Sequence, residues 1–236
     1  MTCTIMQPAY LPWLGYFERI LMSDVFIVLD HVDIDRNSKT KFANRNRIRT
    51  KEGWTWLTAP VVTKGVSSLR LCDLQFDVTA SWQQKHLASI QHAYSKTAHY
   101  QPHIEFIHDI YQRPWQHLAP MCDAILDGLL AAFDIRTPVL RSSQMHIPGQ
   151  KDELIRNHCL AVGADTYISG PFGRNYLDLP AFAAAGIQVR FHDYQHPEYS
   201  QTYPGFEPYM SAIDLLFNHG PESRRILQTS APLATT

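Results

Sequence analysis

Thr4-Ile5-Met6-Gln7-Pro8-Ala9-Tyr10-Leu11-Pro12 and, shortly after it, Val25-Phe26-Ile27-Val28-Leu29-Asp30 decide the fold class of this chain. The first apolar run stops at Gln7-Pro8 and reads as a strand. Trp13, Phe17, Ile20 and Leu21 then recur at helical spacing, with Pro12 suited to a first helical turn. The second run is apolar and β-branched without alternation, the pattern of a strand covered on both faces. Strand, helix and strand in such short order specify a βαβ unit and hence a parallel sheet. The expectation is an α/β, Rossmann-like parallel sheet flanked by helices.

Outward from this unit the pattern changes. The stretch 42–62 is rich in β-formers around Trp54, Trp56 and Leu57, and the alternation over 69–78 predicts a further strand. From Ser81 the chain turns helical. Trp82, Leu87, Ile90 and Tyr94 form one apolar face, and Ile104, Ile107 and Tyr111 another. Pro114 is expected to open a third helix with Leu118, Met121, Cys122, Ile125 and Leu129 on one side. The C-terminal third returns to α/β alternation. It has a helix face from Leu154 to Val162 closed by Gly163, a strand at Thr166–Ser169, a short helix from Leu179 and a strand at Val189–Phe191. Ser211 and Asp214 predict a capping box for the last helix, which Gly220 can close. The expected organisation is one α/β domain over 1–228, with a β-rich and helical insertion whose helical part covers about 79–133, and a frayed tail at 229–236.

Composition narrows the function. The chain has 236 residues and a formal net charge of −1, without the positive excess of proteins devoted to nucleic acid. Its four cysteines, Cys3, Cys72, Cys122 and Cys159, are scattered, as buried reduced thiols are, and not clustered as in a zinc site or disulfide framework. No apolar run is long enough to span a bilayer. The expected location is cytoplasmic.

In parallel sheets ligands bind beyond the carboxyl ends of the strands. Three segments fall there. Gln7 to Pro12 is expected to expose Gln7 and Tyr10 above a helix N-terminus, which favours anions. Asp30 to Arg49 carries Arg36, Lys39, Lys41, Arg45, Arg47 and Arg49. On a strand Arg45, Arg47 and Arg49 share one face and offer planar forks to phosphate or carboxylate; the competing reading is a charged edge that blocks aggregation. Asp30 and the Asp33-Ile34-Asp35 stretch could orient a donor or a cation. Ser169-Gly170-Pro171-Phe172-Gly173-Arg174-Asn175-Tyr176 combines close backbone approach with a charge, but lacks the Gly-Lys-Ser/Thr of a Walker loop. His86 and His196 are the candidates for general acid/base work. His192 and His196 are four apart in a strand and loop, without helical zinc-ligand geometry, and no metal site is assigned. No Gly-x-Ser-x-Gly supports a serine nucleophile.

Longer composite motifs carry a resemblance. Gln7-Pro8-Ala9-Tyr10-Leu11-Pro12-Trp13-Leu14-Gly15-Tyr16-Phe17, Asn44-Arg45-Asn46-Arg47-Ile48, Trp56-Leu57-Thr58-Ala59-Pro60-Val61 and Lys85-His86 are among them. So are Tyr167-Ile168-Ser169-Gly170, Asn175-Tyr176-Leu177-Asp178, His196-Pro197-Glu198-Tyr199-Ser200-Gln201 and Ser211 to Gly220. Together they resemble the WbqC-like family over nearly the whole chain. The resemblance implies a transferase or ligase of polar small molecules in bacterial surface-polysaccharide (O-antigen) or natural-product biosynthesis, with glycyl or aminoacyl transfer proposed for some members. It supplies no catalytic residue list; from the residues themselves, Gln7, Tyr10, Tyr16, Asn44, Arg45, Arg47, Ser169, Gly170, Arg174, Tyr176, Tyr199 and Gln201 are expected to bind an anionic or sugar-linked substrate. His196, His86 and Asp30 would do the chemistry. An aminoacyl-tRNA donor is the one nucleic-acid partner this leaves open. A more distant likeness, of the first βαβ unit to nucleotidyltransferases, places Tyr10 and Tyr16 where those enzymes carry histidines, and implies a nucleoside triphosphate with Mg2+. The third expectation is a non-catalytic binding protein.

Overall fold

The computed structural model describes residues 1–34, 43–66, 69–79 and 81–228. Asp35, Arg36, Lys39, Lys41 and the 229–236 tail lie outside the described residues. The opening unit folds as its pattern predicts: β1 (Thr2–Met6), α1 (Leu14–Leu21) and β2 (Val25–Val28). β1 and β2 pair in parallel, and every residue of β2 is buried. Pro12 stands before the helix, not in its first turn, since α1 begins at Leu14.

β3 (Arg45–Thr50) and β4 (Gly53–Thr58) then form a separate antiparallel hairpin. Three helices follow, α2 (Trp82–Tyr94), α3 (Tyr100–Gln112) and α4 (Leu118–Ala132). The chain returns to the sheet with β5 (Val139–Arg141), α5 (Ser142–Met145) and α6 (Lys151–Ala161). It then continues through β6 (Thr166–Ser169), α7 (Leu179–Ala184) and β7 (Gln188–Phe191), and ends with α8 (Ala212–His219) and α9 (Ser223–Leu227).

The main sheet has five strands in the order β5-β2-β1-β6-β7, all parallel. The order reverses between β1 and β6. α1 packs its Leu14, Phe17 and Ile20 on the face that Met6, Phe26 and Val28 present, whereas Phe182 of α7 packs on the opposite face with Ile5, Ile27 and Val189. The loops leaving β1 and β6 therefore diverge, and a crevice between them at the carboxyl edge is the expected ligand site of such a sheet.

The larger core runs without a break from this sheet face through the hairpin and α2, α3 and α4 to α8, through Ile48, Leu57, Tyr94, Ile107, Ile125 and Phe217. Backbone bonds lay β3 along the turn that follows β1. Tyr10 donates its N–H to Ala43 O at 3.1 Å, Ser211 to Arg47 O at 2.8 Å and Ala212 to Pro12 O at 2.8 Å. The Asn46 amide reaches Leu11 O at 2.5 Å.

Three local expectations need correction. The alternation over 69–78 is not a strand: Leu71–Asp73 is a 3₁₀ turn. Isolated bridges of Arg70, Phe76 and Gln75 to Asp33, Val61 and His117 produce the alternating burial. Pro114 does not open a helix; α4 starts at Leu118, whose N–H is already bonded to Leu74 O at 2.8 Å. Ser211 precedes α8 without a side-chain cap, because Asp214 is drawn instead to Tyr199 and Gln201. Gly163 and Gly220 do end their helices, at φ +70 and φ +49, where a side chain would be strained.

Candidate functional site

Because the strands are parallel, Gln7, Asp30, Ser142, Gly170 and His192 all leave the sheet at one edge. The candidate residues distribute over this edge in three ways: matched inside the core, matched at the surface, or lacking partners in a partly buried setting.

Tyr10 is the clearest correction. It is fully buried, and its hydroxyl is hydrogen-bonded both to Tyr111 and to His86 Nδ1, the latter at 2.7 Å. Trp82 packs edge-on to both Tyr10 and His86. Burial pushes the Tyr10 phenol up and holds the His86 imidazole down to about 4. Tyr16 is also buried, and it donates its hydroxyl to Gln7 O at 3.1 Å. Of the residues proposed for this turn, only Gln7 is exposed. The physical reason is that α2 and α3 close on Tyr10 through Trp82, His86 and Tyr111, and Tyr16 packs on Phe26 of β2. Neither tyrosine is presented to a triphosphate.

Asp30 is committed to structure. Its carboxylate accepts from Ser142 Oγ at 2.9 Å, Ser143 N–H at 2.8 Å and Ser143 Oγ at 2.6 Å, so it ties β2 to the short helix α5. Arg174 is likewise occupied, in a two-pronged pair with Asp193 at 2.8 and 2.7 Å. Tyr199 and Gln201 both donate to Asp214 Oδ2, at 2.8 and 2.9 Å, and Gln201 also accepts from Arg49 Nε at 3.2 Å. Arg49 spends its remaining donors on the carbonyls of Thr50, Gly53 and Pro204. The Asn44 amide donates to Ala59 O at 2.9 Å, which holds the start of the hairpin.

Arg47 and His196 differ, each with a buried nitrogen that has no hydrogen-bond partner. Arg45 lies over the Trp56 ring at 4.3 Å and Arg47 over Trp54 at 4.8 Å. Arg47 Nη2 reaches the Tyr209 carbonyl at 3.1 Å, while its buried Nε has no hydrogen-bond partner. Tyr209 holds a left-handed φ of +62, a conformation a bulky side chain adopts only under constraint. His196 stacks on Tyr199 at 6.0 Å and is ringed by Tyr209, Phe206 and Tyr194 at 5.2, 5.6 and 5.7 Å. Its Nδ1 donates to Pro197 O at 2.8 Å, which fixes the tautomer and leaves a lone pair on Nε2. That Nε2 is buried and has no partner, and neither has the Tyr194 hydroxyl. Burial, helped by the Arg47 charge, pulls the His196 imidazole below its ordinary value. Tyr194 lies flat on Gly15, where a Cβ would meet the ring at 2.8 Å, so glycine at that position joins this cluster to the start of α1.

Sequence reasoning missed three groups at the edge. Glu18 of α1 holds His192 Nε2 at 2.6 Å, both buried. His31 is hydrogen-bonded to Ser142 Oγ at 2.6 Å and stacks 5.8 Å from His158, whose own Nδ1 donates to Leu154 O. Arg19 reaches from α1 to Gly170. Helical spacing alone marks Arg19 as a surface residue, and only the neighbouring strand reveals where its guanidinium goes. Among the described residues no group of three His, Cys, Asp or Glu side chains could hold a metal ion. No described helix is long and apolar enough to cross a membrane.

The WbqC-like protein family model matches residues 7–226. The chain belongs to the WbqC-like family. It is 33% identical over 221 residues, 93% of this chain and 94% of the relative, to the uncharacterized protein Rv1507c of Mycobacterium tuberculosis strain ATCC 25618 / H37Rv. No solved structure matches. In this WbqC-like chain, then, the His196-Pro197 and Asn44–Ile48 motifs converge on one cluster, whereas Lys85-His86 leads into the core.

Proposed function

We propose that this WbqC-like protein is a cytoplasmic transferase or ligase that joins an aminoacyl or similar group to a polar, anionic or sugar-linked small molecule, in surface-polysaccharide or natural-product biosynthesis. The observation that carries this reading is His196 Nε2: a neutral imidazole lone pair, its tautomer set by Pro197, buried among aromatic rings beside the Arg47 guanidinium. Such a group suits a general base. In acyl transfer an acceptor amine or hydroxyl would attack the acyl carbon while His196 Nε2 takes its proton. The tetrahedral intermediate would then expel the leaving group, with that proton returned to it. Arg47, partly desolvated, would stabilise the negative charge that develops on the acyl oxygen. Trp54 and Trp56, both exposed, offer flat faces to the sugar or ring of the acceptor.

The test is a thermal-shift panel of nucleotides, nucleotide sugars, acyl carriers and amino acids, each with and without magnesium, since a ligand stabilises the state that binds it. The expected stabilisers are amino acids, acyl carriers or nucleotide sugars, with turnover lost in His196→Asn. Stabilisation only by a nucleoside triphosphate with magnesium favours nucleotidyl transfer instead. Binding without turnover, unchanged by His196→Asn, favours a non-catalytic carrier.

A further inference from the structure

Arg19 stands where the strand order reverses. It lies in the last turn of α1, half-buried, and extends back toward the carboxyl edge of the sheet. Its Nε donates to the Met6 sulfur at 3.1 Å, a weak acceptor at the end of β1. Its Nη1 occupies the space beside Gly170, at the end of β6: a Cβ added to Gly170 would sit 2.7 Å from it. One arginine thus bridges the ends of the two strands that flank the switch point.

What Arg19 lacks is a counter-charge. Among the described residues it makes no ion pair, although its neighbour Glu18 is a buried carboxylate. Glu18 is turned to His192 at 2.6 Å. Burial pulls the guanidinium below its ordinary value. Beyond the Nε bond to Met6 the guanidinium makes no hydrogen bond among the described residues, and none of its nitrogens is sealed from solvent without a partner, so its free N–H groups can meet an anion at this edge. A structural role for Arg19 would be expected to end on carbonyls of its own helix terminus or on a carboxylate; a thioether and a glycine provide neither. Gly170, with no side chain, leaves room for the Arg19 fork, and Gln7 and Tyr176 are exposed at the same edge.

We propose that Arg19, held between Met6 at the end of β1 and Gly170 after β6, is the binding subsite for a carboxylate of a small organic acid. Charge decides the class. Arg174, the other cation of the segment after Gly170, is spent on Asp193. One guanidinium matches one negative charge in a planar, two-oxygen group, whereas a polyphosphate calls for several cations or a glycine-rich cradle of N–H groups. The subsite stands apart from the group-transfer reading, because its readout is equilibrium binding and does not involve His196.

The experiment titrates the full 15N-labelled chain with sodium acetate, sodium glycolate, inorganic phosphate and, at matched ionic strength, sodium chloride. Arginine Nε–H and backbone signals report binding. Saturable shifts at Arg19 and Gly170 are expected with acetate and glycolate, and affinity about tenfold weaker in Arg19→Met and in Gly170→Ala, the loss of one charge-assisted contact. Gly170→Ala keeps the charge and moves the fork, and it answers the question if Arg19→Met does not fold. The proposal is overturned if acetate does no more than chloride, if binding survives both substitutions, or if phosphate binds more tightly than the carboxylates.

Discussion

The Tyr10–His86 cluster and the His196 cluster are built from the same residue types and have opposite hydrogen bonding. In the first, two phenols and an imidazole satisfy one another inside an aromatic shell. In the second, an imidazole nitrogen, a phenol and an arginine Nε are each buried without a partner. Buried polar groups are nearly always paired in folded proteins, by protein or by water, so a concentration of unpaired ones makes this cluster the better candidate for binding another molecule. Both clusters contain motifs of the family, and this difference makes the His196 cluster the one proposed for chemistry, while the Tyr10 cluster is matched within the core.

The sharpest break would come from His196→Asn. Turnover in the reaction the ligand panel identifies should fall by about 10²–10⁴, the usual contribution of a positioned acid or base. The melting temperature should hardly move. Full turnover in that variant would remove His196 from the mechanism and leave the two clusters alike.

Acid should separate them next. Burial lowers His86 from 6.5 to about 4, so between those values the unfolded chain binds a proton that the folded chain refuses. Stability is then complete above 6.5, declines as the pH falls toward 4, and levels off below it, a loss on the order of 3 kcal/mol. Urea midpoints measured across that window check it. If His86→Gln titrates in parallel with the native chain, the loss comes from elsewhere.

Tyr10→Phe deletes one hydroxyl and strands both His86 Nδ1 and the Tyr111 hydroxyl. The expected cost is about 1–3 kcal/mol by denaturant unfolding, with ligand binding retained. Weakened binding without destabilisation would move Tyr10 back into the site. The smallest effect belongs to Arg174→Ala. Its pair with Asp193 is solvent-screened, so stability should change by less than about 1 kcal/mol and acetate binding at Arg19 not at all.

Much of the edge was legible residue by residue. The parallel pattern predicted which segments leave the carboxyl edge after β1, β2 and β6, Gly170 among them, and the structure places those strand ends together; His196 was singled out separately, as an acid/base candidate. Tyr10 was misplaced because a proline-flanked turn after a strand is open to solvent unless something covers it. The cover comes from α2 and α3, far along the chain, whose Trp82, His86 and Tyr111 close on Tyr10, while Ala43 and Asn46 bond the turn's backbone. β5 escaped notice for a similar reason. Three residues, Val139–Arg141, carry no periodicity of their own and become a strand only by pairing with β2.

The sequence by itself determined the βαβ opening, the parallel sheet, the helical stretch and the family, because periodicity and composite motifs are local properties that each segment carries alone. Tertiary structure alone decided which polar side chains are matched. Arg49 and Arg47 are two residues apart on one strand face, yet one is saturated by carbonyls and the other retains an unpartnered Nε. Arg19 meets Gly170 across a gap of 151 positions, the difference between their numbers. A donor's fate depends on the acceptors that folding brings within about 3 Å of it, and those acceptors lie on segments whose approach no local pattern records.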